Sequence, residues 1–143
     1  MKLRDVMTRE VEVISPETSV MEAAGKMRTL DVGSLPVCQG DKVLGVLTDR
    51  DIVIRAVAQG RDPRTVKARE VMTSGAESCS ADDDVKDAAD HMREKQIRRI
   101  LVLDDDQKLV GIFSLGDLAV DADRKLAGKA LEDISEPSQP ASH

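Results

Sequence analysis

Gly45-Val46-Leu47-Thr48-Asp49-Arg50-Asp51 decides the fold, because a second version, Gly111-Ile112-Phe113-Ser114-Leu115-Gly116-Asp117, follows 66 residues later. Each copy is a short apolar strand that begins with glycine and leads to a hydroxyl residue with an aspartate three positions on. A hydroxyl followed at that distance by a carboxylate is typical of a helix start. The same groups suit a phosphorylated ribose, because free N–H groups at a helix start attract an anion and a carboxylate can accept both hydroxyls of a diol.

A second pair of matching stretches lies upstream of the first pair. Arg4-Asp5-Val6-Met7-Thr8 matches Arg69-Glu70-Val71-Met72-Thr73 at a shift of 65 residues. Matches at both ends predict two copies of one unit of about 60 residues, which buries little core alone and should pack against its twin. The predicted domains are residues 1–62 and 63–127, followed at 128–143 by a disordered tail that is too polar to bury itself.

Both copies have the same predicted element order. Apolar periodicity and turn residues give β-α-β-β-α twice, which is an α+β architecture of two repeats. Ser19 with Glu22 is a predicted helix start in copy one, and Asp84 with Asp87 is its counterpart in copy two. The first helix has a predicted apolar face of Val20, Ala23, Ala24, Met27 and Leu30. The predicted strands of copy one are residues 11–14, 35–38 and 43–47, and its last helix spans 48–58.

Composition limits the classes of partner. The 143-residue chain has a net charge of −6 and contains one Phe but no Trp or Tyr, so its core must be aliphatic. An acidic chain is a poor nucleic-acid binder because phosphate contacts supply most non-specific affinity, and this one lacks aromatic side chains for stacking bases. No stretch approaches the ~18 apolar residues of a membrane span and no signal peptide is recognisable, so we expect a cytoplasmic protein.

Neither the cysteines nor the acidic runs predict a metal or catalytic site. Cys38 and Cys79 lie in apolar runs, which favours inert buried thiols over a redox or metal pair. The two histidines lack the spacing of a zinc site. Asp82-Asp83-Asp84 and Asp104-Asp105-Asp106 fall at a helix start and in a hairpin turn, where consecutive acids do not converge on one ion as the ligands of a calcium loop do. We therefore expect no metal and no catalytic residues.

The repeated unit has the marks of a known family. A β-α-β-β-α unit with Val-Met-Thr at its start and Gly-h-h-Thr/Ser-x-x-Asp (h apolar) at its end resembles the cystathionine-β-synthase (CBS) domain, and two in tandem resemble the Bateman module. The resemblance covers residues 2–123, and the chain is similar to stand-alone bacterial CBS pairs. It implies two repeats packed about a pseudo-twofold axis, clefts that bind AMP, ADP, ATP or S-adenosylmethionine, and a homodimer.

The resemblance also implies which residues meet the ligand. Aspartates that hold the ribose diol match Asp51 and Asp117, and hydroxyls that touch phosphate match Thr48 and Ser114. Adenine would lie against the first strand, at Val13 and Ile14 or at Ser78 and Cys79. It would also meet the segment after the first helix, which contains Gly33, Ser34 and Pro36 in copy one and Ile100 in copy two. Basic residues that reach phosphates match Arg98 and Arg99, which copy one lacks.

Each motif also has a plainer interpretation. The two hydroxyl–aspartate pairs can be helix caps, worth about 1 kcal/mol each, with no ligand at all. The interpretations are compatible, because a capping aspartate can turn to a ribose. Arg98 and Arg99 can be a solvated pair, and since side chains alternate along an extended backbone, at most one faces a given phosphate. A guanidinium suits a phosphate because its forked donors can pair with two oxygens.

Three functions follow from these alternatives. The first is a sensor that binds an adenosine-containing effector, needs no cofactor, and signals to a separate effector protein. The second is an enzyme, which is disfavoured because no histidine, cysteine or lysine lies in a recognisable catalytic pattern. The third is a ligand-free dimeric scaffold, in which the aspartates serve only as caps. Binding of an adenosine ligand separates the first function from the third.

Overall fold

The computed structural model describes residues 1–121 and 131–135. The chain folds into two compact units. Unit 1 contains Met1–Val11 and the described residues from Glu77 onward, and unit 2 contains Glu12–Ala76. The chain therefore passes between the units twice, after residue 11 and after residue 76.

Both units contain helices and short strands. The helices of the described residues are α1 (Leu3–Val6), α2 (Val20–Leu30), α3 (Asp49–Ile52), α4 (Ala68–Val71), α5 (Val85–Lys95) and α6 (Leu115–Asp121). The strands are β1 (Ser34–Gln39), β2 (Lys42–Thr48), β3 (Thr73–Ser74), β4 (Ser78–Ser80), β5 (Arg99–Leu103) and β6 (Leu109–Ser114). A π-helical turn, Val53–Val57, continues α3.

Unit 2 is an antiparallel sheet, ordered β1-β2-β3, that packs against α2. Ser19 caps α2 by accepting from Glu22 N at 3.1 Å, and the helix ends at Asp31, whose φ is 54°. Burial of aliphatic side chains from both helix and sheet is the main stabilising term here. The core contains Ile14, Val20, Ala23, Met27, Leu35, Val37, Leu47, Ala56, Val66, Ala68 and Val71.

Unit 1 has a sheet ordered β4-β5-β6, in which β4 runs parallel to β5 and β6 runs antiparallel to it. Asp84 caps α5 by accepting from Lys86 N at 2.9 Å, and α5 ends at Gln96, whose φ is 53°. Both long helices begin with a side-chain cap and end at a left-handed residue, although Asp84 accepts from Lys86 N and not from Asp87 N, the counterpart of Glu22 N. The core contains Leu3, Met7, Ala81, Val85, Ala88, Ala89, Met92, Ile100, Val102, Phe113 and Leu118.

Each unit takes its Val-Met-Thr segment from the other repeat. Leu3 and Met7 of copy one lie in the core of unit 1, and Ala68 and Val71 of copy two lie in the core of unit 2. Hydrogen bonds repeat the exchange: Thr8 N donates to Ile112 O at 2.9 Å, and β3 pairs with β2. The predicted boundary at residues 62 and 63 thus separates the two sequence repeats. It does not separate the two packed units, because each unit contains a segment from both repeats.

Close approach of the exchanged segments requires the two glycines that begin the repeated stretches. A Cβ on Gly45 would lie 2.4 Å from the Thr73 carbonyl oxygen. A Cβ on Gly111 would lie 2.6 Å from Met7 Sδ and 2.9 Å from the Thr8 carbonyl oxygen. Neither distance is tolerable without movement, so each glycine admits the neighbouring backbone.

The mixed α and β architecture predicted from the sequence is confirmed, with local differences. The predicted strand at 11–14 shrinks to a single bridge between Ile14 and Val37. Leu30 is 42% exposed, so the apolar face of α2 is shorter than predicted. Residues 131–134 form a helical turn and Ile134 packs against the core of unit 1, unlike the disorder expected there. The rest of the predicted tail, 128–130 and 136–143, lies outside the described residues.

Candidate functional site

The candidate site of each unit lies at the edge where two paired strands meet a helix start. In unit 2, Ser34 of β1 pairs with Thr48 of β2, and in unit 1, Arg99 of β5 pairs with Ser114 of β6. Directly opposed residues of an antiparallel pair project to the same face. Alternation places their neighbours, Leu35 and Ile100, in the cores, so these four polar residues occupy the opposite faces.

A capping box holds the aspartate of unit 2. Asp51 N donates to Thr48 Oγ1 at 3.0 Å, and Thr48 N donates to Asp51 Oδ2 at 3.0 Å. Thr73 Oγ1 adds a donor from the exchanged segment, 3.1 Å from Asp51 Oδ1 and 3.2 Å from Oδ2. Asp51 is only 8% exposed. The predicted diol-binding carboxylate is therefore already bonded within its own unit.

Unit 1 repeats the capping box with a more accessible carboxylate. Asp117 N donates to Ser114 Oγ at 3.1 Å, and Ser114 N donates to Asp117 Oδ2 at 3.0 Å. Thr8 Oγ1 lies 3.5 Å from both carboxylate oxygens, beyond the usual length of an O–H···O bond. Asp117 is half-buried, so its oxygens remain open to a further donor.

Sequence reasoning missed Thr8 and Thr73 as site residues. In the sequence, the repeated Val-Met-Thr indicates only a duplication, yet in the fold it brings each threonine to the aspartate of the other repeat. The signal was available, because a polar residue duplicated with the aspartates is more than a core position requires. What the sequence did not show was the exchange of segments between units.

The segment after the first helix of each repeat contacts the start of the following helix. Asp49 N donates to Gly33 O at 2.9 Å, and Leu115 N donates to Arg98 O at 2.9 Å. A Cβ on Gly33 would lie 3.1 Å from Asp49 Oδ2, which explains a small residue there. These equivalent bonds bring Gly33 and Ser34 to one capping box, and Arg98 and Arg99 to the other.

The two arginines make unit 1 the more cationic site. Arg98 and Arg99 are both exposed. Within residues 1–121 and 131–135, no carboxylate pairs with either guanidinium. Arg99 shares its face with Ser114, as their pairing requires. Free guanidinium donors beside a hydroxyl suit a phosphate, whose oxygens accept forked bonds.

The predicted adenine-side residues divide between core and surface. Ile14 and Ile100 are buried core side chains and offer a ligand only their backbone, whereas Cys79 is partly buried against the core of unit 1. Val13 is 36% exposed and Ser78 is half-buried, so their side chains remain accessible. Pro36 is buried on the face of β1 opposite the core.

Cys79 lies in a thiol–imidazole–carboxylate row. Its Sγ is 3.7 Å from His91 Nδ1, and His91 Nε2 is 2.7 Å from Glu77 Oε2. Burial, together with the nearby carboxylates of Asp83, Asp87 and Glu77, raises the pKa of the Cys79 thiol to about 11. The thiol is therefore protonated near neutral pH, whereas a nucleophile or metal ligand needs a thiolate. The row is better explained as packing of β4 on α5.

Aspartates of the two acidic runs accept hydrogen bonds from backbone N–H groups. Asp83 Oδ2 accepts from Ser80 N at 2.9 Å, Asp84 caps α5, and Asp104 Oδ1 accepts from Asp106 N and Lys108 N, each at 2.9 Å. In the described part of the chain, no three His, Cys, Asp or Glu side chains are grouped so as to hold a metal ion. No helix among those residues is long and apolar enough to cross a membrane.

Unit 1 has a cavity of about 340 Å³ that the capping-box residues Ser114 and Asp117 do not line. Arg4 of its wall is ion-paired with Asp82, and Arg9 Nη2 donates to Arg4 O at 2.7 Å. None of the residues predicted to bind a ligand lines it. The full lining is Arg4, Met7, Arg9, Ala81, Asp82, Asp104, Asp105, Asp106 and Val110.

Comparison with known proteins matches both repeats to one family. The family model described as "CBS domain" matches residues 3–57 and 68–121. The CBS domain-containing protein YhcV of Bacillus subtilis (strain 168) is 42% identical over 134 residues, which cover 93% of this chain and 94% of YhcV. Each match begins near a Val-Met-Thr segment and includes one capping box.

Two similar solved structures contain adenosine compounds. The CBS domain pair of protein MJ0100, in complex with 5-methylthioadenosine and S-adenosyl-L-methionine, has a TM-score of 0.70 at 26% identity and covers 83% of this chain and 97% of its own. CBSX2 in complex with AMP also has a TM-score of 0.70, at 27% identity, and covers 82% of this chain and 92% of its own.

Proposed function

This chain belongs to the CBS-domain family with two CBS domains in tandem, and from that premise we propose that it is a regulatory module that binds an adenosine-containing ligand and signals to a separate protein. Members that consist of a CBS pair without an attached enzyme are generally regulatory. The adenosine compounds bound to MJ0100 and CBSX2 support this ligand class. AMP, ADP, ATP and S-adenosylmethionine share an adenosine and differ in the charge they carry.

The observation that carries the proposal is the open capping box of unit 1. Asp117 is half-buried, is bonded through Ser114 N, and has only a distant donor in Thr8. A carboxylate has acceptor capacity for both hydroxyls of a ribose. Arg99 shares the face of Ser114 and has a guanidinium free of ion pairs among the described residues. Diol acceptor and phosphate donors therefore lie at one edge of one sheet.

Each group has a separate role in the proposed complex. Asp117 accepts from the ribose hydroxyls, Ser114 Oγ donates to the nearest phosphate, and Arg98 or Arg99 neutralises the outer charge. In unit 2, Asp51 and Thr48 hold the equivalent positions, and Ser34 stands where Arg99 stands in unit 1. Unit 2 therefore suits a ligand with little negative charge better than a polyphosphate.

A homodimer is part of the proposal. Val53, Ile54 and Val57 of the π-helical turn are 54%, 48% and 61% exposed, and they follow the Thr48–Asp51 cap by one turn. Exposed aliphatic side chains grouped on one turn favour association with another protein surface. A second copy of this chain is the proposed occupant, and sedimentation of wild type against Val57→Glu tests it.

A ligand-free scaffold is the second candidate, and one observation favours it. Asp51 is buried and its carboxylate accepts from Thr48 N and Thr73 Oγ1, as a purely structural cap would. Around Asp117 the backbone donor Ser114 N is equally close, at 3.0 Å, but the threonine donor Thr8 Oγ1 is more distant, at 3.5 Å. The scaffold therefore fits unit 2 better than unit 1.

Thermal unfolding with added ligand separates the two functions. The protein is melted alone and with AMP, ADP, ATP or S-adenosylmethionine at about a hundred times the dissociation constant, where a bound ligand adds about 2.7 kcal/mol. Asp117→Ala should abolish the larger part of that gain. Guanosine monophosphate serves as a base-mismatched control. If none of the four ligands raises Tm, the sensor is excluded and the scaffold remains.

A further inference from the structure

We propose that Thr73 gates the unit 2 site: its hydroxyl occupies the Asp51 carboxylate, so a ribose must displace it, and this site fills after the unit 1 site. The proposal rests on the proposed adenosine-binding function. It adds a positioning residue and an order of filling, neither of which follows from the capping boxes alone.

The first step concerns the acceptor that a ribose needs. Asp51 Oδ2 already accepts from Thr48 N at 3.0 Å, and Thr73 Oγ1 lies 3.1 and 3.2 Å from the two carboxylate oxygens. Within the described residues, Asp51 is the only charged side chain that is buried, at 8% exposure. A diol that binds this buried carboxylate therefore competes with the donors from which Asp51 already accepts.

The second step identifies the donor that leaves. The backbone N–H of Thr48 is fixed in the helix cap, because the Thr48 hydroxyl in turn accepts a hydrogen bond from Asp51 N. Thr73 Oγ1 is released by rotation about one side-chain bond, while the Thr73 backbone stays paired with Val46. Thr73 is also exposed, so its hydroxyl can turn to solvent and keep a water partner. Rotation of the Thr73 side chain therefore frees the Asp51 carboxylate at a lower cost than release of Thr48 N would.

The third step shows why the Thr73 backbone stays in place. Arg55 Nη1 donates to Met72 O at 3.1 Å and to Val71 O at 3.3 Å, which fixes the end of α4 just before Thr73. Gly45 admits the Thr73 carbonyl from the other side. The segment is held by backbone contacts on both sides, so the hydroxyl is presented to Asp51 by a rigid support.

The fourth step is the contrast with unit 1. Thr8 Oγ1 is 3.5 Å from each Asp117 oxygen, a distance at which a hydroxyl bond contributes little. Asp117 is half-buried, whereas Asp51 is buried. A ribose therefore meets less competition at Asp117, and the unit 1 site fills at the lower ligand concentration.

Calorimetric titration with AMP, and separately with S-adenosylmethionine, tests the gate on four full-length variants. Thr73→Ala removes the competing hydroxyl and should tighten the weaker binding step by about tenfold, the effect of one hydrogen bond to a charged group. Thr73→Ser keeps the hydroxyl and should match wild type. Thr8→Ala and Thr8→Ser form the matched pair at the other unit, and both should change affinity by less than about threefold.

A structural role alone predicts a different pattern. Thr73→Ala would then lower the unfolding midpoint in urea and weaken or leave unchanged both binding steps, because a looser cap is no better acceptor. Tighter binding together with a lower midpoint identifies the gate. The gate is excluded if Thr73→Ala does not tighten the weaker step, or if Thr73→Ser behaves as Thr73→Ala does. Absence of binding by wild type itself excludes the proposed function, and the gate with it.

Discussion

The two capping boxes share one backbone geometry and differ in what surrounds the carboxylate. Both aspartates accept from the backbone N–H three residues earlier at 3.0 Å. Around Asp51 the donors are short and the residue is buried, whereas around Asp117 the threonine is distant and two arginines are free of ion pairs among the described residues. Duplication preserves the backbone frame of both capping boxes, and the neighbouring side chains determine how accessible each aspartate is.

The largest expected effect tests the close approach of the two Val-Met-Thr segments to Gly45 and Gly111. Gly45→Ala should lower the free energy of unfolding by about 3 kcal/mol, because the new Cβ would meet the Thr73 backbone. Gly111→Ala should cost about half as much, because Met7 Sδ at 2.6 Å belongs to a flexible side chain and the backbone clash with the Thr8 carbonyl oxygen, at 2.9 Å, is milder than the 2.4 Å clash at Gly45. Urea unfolding measures both.

Gly25 offers the matched control for those two variants. It lies within α2 with nothing within 4 Å of an added Cβ, so Gly25→Ala should raise the free energy of unfolding by about 0.5–1 kcal/mol. Equal destabilisation by Gly45→Ala and Gly25→Ala would show that the exchanged segment is not held against Gly45.

A smaller effect compares the two aspartates directly. Asp51→Ala should lower the free energy of unfolding by about 2 kcal/mol, because it leaves Thr48 N without its acceptor and Thr73 Oγ1 without its partner. Asp117→Ala should cost about 1 kcal/mol, the value of the cap alone. Urea unfolding at pH 7 without ligand provides the comparison. A larger loss of unfolding free energy in Asp117→Ala than in Asp51→Ala would contradict the conclusion that Asp51 has the stronger hydrogen bonds.

The arginines should separate ligands by charge. Arg99→Ala should weaken ATP binding by about tenfold and S-adenosylmethionine binding by less than about threefold, because only ATP offers phosphates to a guanidinium. Arg98→Ala is the neighbouring control and should have the smaller effect on ATP, since Arg99 is the residue paired with Ser114. Calorimetry at two salt concentrations measures both. Equal losses for the two ligands would indicate a structural role for Arg99.

The smallest expected effect is a pH dependence that belongs to unit 1. Because the pKa of Cys79 is raised to about 11 in the folded state, its contribution to stability is present below the ordinary thiol range and is lost as pH rises toward 11. Wild type should therefore lose stability over that range more steeply than Cys79→Ala. Urea midpoints at pH 8 and pH 10.5 measure the difference, and parallel slopes would show that the thiol is not buried.

Most elements of the fold could be predicted from local sequence patterns. The helix start at Ser19, the apolar spacing of α2 and α5, and the glycine-led strands were all predictable, since each depends on nearby residues. The segment exchange was not, because Leu3 and Val71 are apolar in either arrangement and only long-range packing decides which core they join. The strand at 11–14 was predicted too long for a related reason: only Ile14 has a partner, while Val13 faces solvent.

The candidate site was predictable in its frame and less so in its surroundings. Hydroxyl and aspartate at fixed spacing gave Thr48, Asp51, Ser114 and Asp117 without reference to tertiary structure. Their accessibility depends on Thr8 and Thr73, which are more than twenty residues away in sequence. Side-chain alternation predicted only that at most one of Arg98 and Arg99 faces a given phosphate. The pairing of Arg99 with Ser114 depends on the register, which is a property of the folded sheet.

Calorimetric titration of AMP into wild type, Asp51→Ala and Asp117→Ala tests the central claim most directly. The account predicts two unequal binding steps in wild type, with the tighter step lost in Asp117→Ala and the weaker step lost in Asp51→Ala. Binding to both variants that equals wild type, or loss of the tighter step in Asp51→Ala instead, would contradict it.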